Sequence, residues 1–511
     1  MLFSYTITSF FFLLLPLLSI FFLIKASTPK KQSSLPPSTA IRLPKSYPII
    51  GSFLAVVANR KRQLQWFSDI LQVSPSATYV LHSSIGTRHV MTANPAVVQH
   101  ILKTHFPNYG KGDYFKGTLK DFLGNGILNV DGESWKFQRQ LASHEFNTKS
   151  LCKFMEIVVD TEISDRLIPI LSVAAATGTV LDLQDILQRF AFDNICKIAF
   201  GFDPAYLLPS LPQTKFAQAF EETVKISSDR FNSVISVIWK IKKLLNIGSE
   251  KQMRIAVSVV KEFAKNIIRK KKNELKEKAS LDSVDLLSRF LCSGHLDENF
   301  VTDIIISFIL AGRDTTSSAL TWYLWLLSKN PHVESEVLKE IKEKSEALVY
   351  EEVKDMVYTH ASLCESMRLY PPVSADTKEA VSDDILPDGT VVKKGMTVTY
   401  IPYAMGRLET LWGSDWAEFK PERWLEKEEA ENRRWRFVGR DAYTYPVFQA
   451  GPRICLGKEM AFLQMKRVLV GVLRRFKVVS AVEEGVEPEF DPQLTSKMKG
   501  GFPVRIVERD A

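Results

Sequence analysis

Residues Phe448–Gly457 read FQAGPRICLG, and this stretch decides how the rest of the chain is understood. Cys455 stands between Gly451 and Gly457, at the start of a run from about Leu456 to Arg475. In that run Phe462, Met465, Leu469, Val472 and Phe476 recur at helical spacing. Glycine lets backbone N–H groups approach a neighbouring atom closely. Such donors, together with the positive end of the following helix, favour an anion. The loop is therefore suited to hold Cys455 as a thiolate, the form in which cysteine ligates metals.

Working outward, Val301–Asn330 reads as one long helix, which Pro331 halts. Its apolar residues cover nearly the whole circumference, as in a helix that runs through a core. Gly312, Asp314, Thr315 and Thr316 break that pattern, and buried polar groups are costly unless used or satisfied. Glu365–Arg368 (ESMR) places a carboxylate and a guanidinium on one helix face, and Pro421–Trp424 (PERW) follows downstream. Trp135 and Arg139 stand four apart, with an indole N–H and a guanidinium on a shared face. The basic run Arg269–Lys278 reads as a solvated helix face, with a break at Ser280–Ser283. Strand signals are short, around Thr390–Val392 and Met396–Ile401. The fold class is mainly α with small β-sheets.

At the N-terminus, Leu2–Ile24 carries no charge, and as a helix it reaches roughly 35 Å, enough to cross a bilayer. Lys25, Lys30 and Lys31 follow it, which predicts a retained anchor with the body on the cytosolic side. A Pro-rich spacer follows, so the chain divides into an anchor (2–24), a linker (25–48) and one catalytic body (49–511). With 511 residues, 45% hydrophobic and 24% charged, it is neither a disordered chain nor a disulfide scaffold. The net charge of +8 does not mark a nucleic-acid binder and fits a membrane or an acidic partner. Five cysteines at irregular spacing, with no CxxC or paired Cys/His pattern, argue against a zinc site and for a reducing compartment.

Phe448, Gly451, Arg453, Cys455 and Gly457 match F-x-x-G-x-R-x-C-x-G, and this loop resembles that of the cytochrome P-450 family. AGRDTTS, ESMRLYPPV, FQAGPRICLGKEMAFLQMK and MKGGFPVRI are similar more closely to plant fatty-acid ω-hydroxylases of the microsomal type. The resemblance implies a triangular helical prism with haem b between the long central helix and the Cys-ligand helix, Cys455 being the axial ligand. It makes Asp314 and Thr315 the acid and hydroxyl that deliver protons during oxygen activation. Glu365, Arg368 and Arg423 become a structural ion network, although the family usually has Phe where this chain has Trp424. Trp135, Arg139, Arg453 and Lys378 become candidates for the haem propionates. Some animal relatives carry a haem-esterified Glu at the position of Ala311, which forms no such link.

By the same resemblance the substrate pocket draws on Phe115, Ile305, Phe308, Ala311, Val373 and Phe502. Lys116 and Lys120 could hold a substrate carboxylate near the mouth, but plain solvated surface lysines are the favoured reading of both. The chain has no dinucleotide or Walker fingerprint of its own. Electrons are therefore expected from NADPH through a flavoprotein reductase, docked against cations such as Lys458 and Arg467. The expected activity is hydroxylation of fatty acids at or near the terminal methyl, at the endoplasmic reticulum membrane. Oxidation of a fatty-acid-derived hormone conjugate, such as a jasmonoyl amino acid, is the alternative. A non-catalytic haem sensor and a hydroperoxide rearranger of the same fold are more remote, because Asp314 and Thr315 are both present.

Overall fold

The computed structural model describes residues 43–509, apart from 84–86, 147–148, 234, 278–284, 293–296, 346–348, 428–434 and 484. The anchor expected over 2–24, most of the linker and the break at Ser280–Ser283 lie outside the described residues. Among the described residues no helix is long and apolar enough to cross a membrane.

Helices dominate, as expected. The central one is built in three pieces: Glu298–Ile309, a π-helical turn over Leu310–Asp314, and Thr315–Lys329. It begins three residues before the sequence expectation because Asp297 caps it, accepting from the N–H groups of Asn299 (3.1 Å) and Phe300 (3.2 Å). It ends where Pro331 opens the next helix. The Cys-loop helix spans Lys458–Arg475, with Gly457 as its N-cap residue.

The central helix joins two cores. Val301–Leu310 pack with Phe122, Phe192 and Phe220 from three neighbouring helices. Leu320–Leu327 pack with Phe462, Met465 and Leu469 of the Cys-loop helix. A third core lies under a five-stranded sheet, ordered Thr78–His82, Arg88–Thr92, Thr397–Tyr400, Asp376–Ala380 and Tyr109–Gly110. The strand signals sit where expected, at Val391–Val392 and Thr397–Tyr400.

Two cations face inward. The described part of the basic run is largely solvated on the helix Gly248–Glu277, as expected, except that Lys271 is buried and paired with Asp285 at 3.2 Å. Arg467 is buried as well, held by Glu156 and Asp160, so it offers no surface to a docking partner. Both reflect the same physics: a buried guanidinium or ammonium must find carboxylates, and helix periodicity alone does not say which cation faces inward.

Candidate active site

The Cys loop is shaped by backbone geometry that its sequence permits. Pro446–Phe448 and Gly451–Arg453 form short 3-10 turns, and the Cys455 N–H donates to the Phe448 carbonyl at 2.8 Å. Gly451 has φ +64°, and a Cβ there would stand 2.1 Å from the Leu102 carbonyl oxygen. No other residue fits without moving one of the two backbones. Burial pushes the Cys455 thiol up. A hydrogen bond from the Gly457 N–H and the positive fields of Arg139 and Lys458 oppose that shift.

Cys455 opens into a cavity of about 1440 Å³. Phe448, Arg453, Gly457, Trp135 and Arg139 line it on the loop side, and Ala311, Gly312 and Thr315 line it from the central helix. This volume exceeds the ~300–1,000 Å³ usual for one small ligand, so cofactor and substrate both find room. Arg139 donates to the Ile454 carbonyl at 2.6 Å. Arg453 lies 4.5 Å over the Trp135 ring and donates to Asp131 at 2.7 Å. Two guanidiniums and an indole beside an open thiol are a donor set that fits a haem with anionic propionates. Lys378, by contrast, is buried, bonded to Asp376 at 2.6 Å, and does not line the cavity. Lys111 and Lys378 overcome burial to hold the Asp376 carboxyl far below the usual range. Lys378 is thus committed to a carboxylate already in the protein, and its expected contact with a propionate is not supported.

The polar break in the central helix has a structural explanation. Leu310–Asp314 widen into a π turn, a feature frequent at functional sites. The Thr315 hydroxyl donates to the Ala311 carbonyl at 2.6 Å. Gly312 permits close packing, since a Cβ there would meet the Ile195 side chain at 2.7 Å. Thr315 faces the cavity, whereas Asp314 is buried behind it and accepts from Arg313 at 2.8 Å. Arg313 also donates to Glu221 at 2.5 Å, and Lys497 pairs with the same carboxylate. Burial pushes Asp314 up, opposed by Arg313 and Lys497. Burial acts on Glu221 too, but Arg313 and Lys497 prevail and hold it at about 2. The sequence showed Asp314 and Thr315. Glu221 carried no signal, and Lys497 fell only within a stretch expected to line the pocket, not as an ion-pair partner; both come from distant elements.

Glu365, Arg368 and Arg423 are joined by hydrogen-bonded ion pairs. Arg368 forks onto Glu365 at 2.7 and 2.8 Å, and Arg423 reaches Glu365 at 3.2 Å and Asp415 at 2.7 Å. Trp424 gives its departure from the family pattern a purpose, because its indole N–H donates to Glu365 at 2.9 Å. A Phe could not make that bond.

Of the expected substrate contacts, Phe115, Phe308, Ala311 and Val373 line the cavity. Ile305 and Phe502 do not. Ile305 points into the core with Phe122 and Phe220, and Phe502 is fully buried beside Leu183 and Val504. Lys116 is paired with Asp131 at 2.8 Å and Lys120 with Asn125 at 2.5 Å, both outside the cavity lining. The cations that do line it, besides Arg139 and Arg453, are Lys111, Arg88, Lys393 and Lys394.

A helical body with a thiol and a π-bulged helix facing one cavity defines a haem-thiolate monooxygenase, and comparison with known proteins agrees. The family model for cytochrome P450 matches residues 41–502. The chain is 63% identical to cytochrome P450 94A2 of Vicia sativa over 488 residues, covering 95% of this chain and 94% of that protein. It is 62% identical to cytochrome P450 94A1 of Vicia sativa, covering 92% and 91%. It is 49% identical to cytochrome P450 94B1 of Arabidopsis thaliana, covering 91% of each. The chain belongs to the cytochrome P450 family. Its cofactor is haem with an axial cysteine thiolate, and electrons arrive from NADPH through a reductase. The haem supplies dioxygen activation when bound, and the protein's part is to bind, orient and move protons.

Proposed function

We propose that this monooxygenase hydroxylates fatty acids at or near the terminal methyl. The observation that carries the reading is the shape and chemistry of the single cavity at Cys455. Apolar side chains line it on both sides, Phe308 from the central helix and Phe115, Leu119, Leu123 and Val373 from beyond it. The same cavity extends to the strands Thr78–His82 and Arg88–Thr92 and to the turn before Thr397, where Arg88 and Lys394 stand, Lys393 being paired with Asp383 at 2.8 Å. An acyl chain with its carboxylate at those cations would direct its far end toward Thr315 and Cys455. A methyl C–H is harder to break than a methylene C–H, so positioning must decide where oxygen enters. Resemblance of the motifs to plant ω-hydroxylases supports the same reading.

Membrane association belongs to this proposal. The helix Ser236–Leu245 exposes Val237, Ile238, Ile241, Leu244 and Leu245 alongside Lys240, Lys242 and Lys243. Such an amphipathic helix suits a lipid surface, which is also where long-chain acids partition. Together with the apolar N-terminal run, it supports residence at the endoplasmic reticulum with the body in the cytosol. Candidate acids titrated into microsomes should shift the haem Soret band, with products identified once reductase and NADPH are added. ω-Hydroxylated fatty acids support the proposal. Turnover of jasmonoyl amino acids with fatty acids inert would replace it.

A further inference from the structure

We infer that His100, His105 and Asp384 form a site for a divalent transition-metal ion of the zinc class, separate from the haem cavity. His100–Thr104 is also a π-helical turn, closed by the His105 N–H donating to the His100 carbonyl at 2.8 Å. Residues five apart on an α-helix point well away from each other, since each step rotates by about 100°. The wider turn instead brings the two imidazoles to 4.1 Å between centroids. Asp384, nearly three hundred residues later, completes the group: its Oδ2 lies 2.9 Å from His100 Nε2 and 3.2 Å from His105 Nδ1.

The three donor atoms lie within 4.8 Å of one another. Zinc bonds of about 2.0–2.1 Å in a tetrahedron put neighbouring donors about 3.3 Å apart. Two edges of that tetrahedron are therefore nearly formed already. Two imidazoles and one carboxylate are a donor set that zinc and its neighbours favour. The carboxylate is itself oriented, by the Tyr109 hydroxyl at 2.9 Å on Oδ2 and the Ile385 N–H at 2.8 Å on Oδ1. Such outer hydrogen bonds tune and fix metal ligands. Access is open from one side: His100 and Asp384 are nearly buried at 12% and 11% side-chain exposure, and His105 is half-exposed at 46%. On binding, each ring keeps its proton on the nitrogen not used, and water fills the fourth position. The ion would clamp the strand Asp384–Ile385 to the turn whose Leu102 carbonyl abuts Gly451 of the Cys loop.

The test uses full-length, untagged, haem-loaded protein and zinc alone. Calorimetric titration should give one equivalent bound with micromolar or tighter affinity and a raised Tm. X-ray absorption at the zinc edge should show nitrogen and oxygen ligands without sulfur, which distinguishes this site from the exposed Cys292. His105→Ala and Asp384→Asn should each weaken binding at least ten-fold while the carbon monoxide spectrum of the reduced haem stays unchanged. Should either variant fold poorly, the edge spectrum of the wild-type protein still decides. Absence of binding up to millimolar zinc, sulfur in the ligand shell, or undiminished affinity in both variants would overturn the assignment.

Discussion

At the residue scale, two side chains separate what motifs reveal from what they conceal. Thr315 is read directly from its motif and faces the cavity, with its hydroxyl held on the Ala311 carbonyl. Thr315→Ala should lower product formed per NADPH consumed by roughly an order of magnitude while the Soret band persists. Simultaneous assay of NADPH oxidation and product checks this, and unchanged coupling would remove Thr315 from proton delivery. Trp424 conceals more. As a departure from a family pattern it looked neutral, yet its indole satisfies a fully buried carboxylate. Trp424→Phe should cost about 1.5–3 kcal/mol, the usual worth of a hydrogen bond to a charged group, measured by denaturant titration of the haem-bound protein. No reading of a single sequence could show that donor, because Glu365 and Trp424 meet only through tertiary packing.

At the element scale, the central helix and the Cys-loop helix were legible because apolar periodicity and Pro331 mark them plainly. The π turn was legible only as a polar interruption. What the sequence withheld was facing: Ile305 and Phe308 are both apolar on one helix, yet only Phe308 reaches the cavity. The same uncertainty misplaced Phe502 and Arg467. Packing between the helices Val357–Leu369 and Lys458–Arg475 also sets a pH response. His360 packs tilted against Phe462 at 4.1 Å between centroids and meets the edge of Phe437 at 4.6 Å. Burial, reinforced by Lys466 and Lys458, pulls its imidazole from 6.5 down to about 3. The unfolded chain then binds a proton that the folded chain refuses, so this contribution to stability is complete above pH 6.5. It is lost as pH falls from 6.5 toward 3, by at most about 1.4 kcal/mol per pH unit. His360→Gln should flatten the acid limb of a Tm-against-pH profile. An unaltered limb would show that the imidazole does not titrate in that window.

At the scale of the whole molecule, three cores meet around one cavity, and its further cations come from a strand and a turn that carry no motif. Lys116 and Lys120 are both bonded outside the cavity, to Asp131 and Asn125. Arg88 reaches the cavity because its strand pairs in parallel with Thr397–Tyr400, a long-range register that composition cannot disclose. Arg88→Gln should raise KM for a fatty acid several-fold with little change in kcat, whereas loss of kcat alone would contradict a carboxylate-holding role.

Every role assigned to the cavity residues requires Cys455 as an anion at haem iron. Purified full-length protein, reduced and exposed to carbon monoxide, should show the long-wavelength Soret band that thiolate ligation produces. Cys455→Ser should abolish that band. A folded, haem-loaded wild-type preparation without the band, or a serine variant that retains it, would contradict the claim.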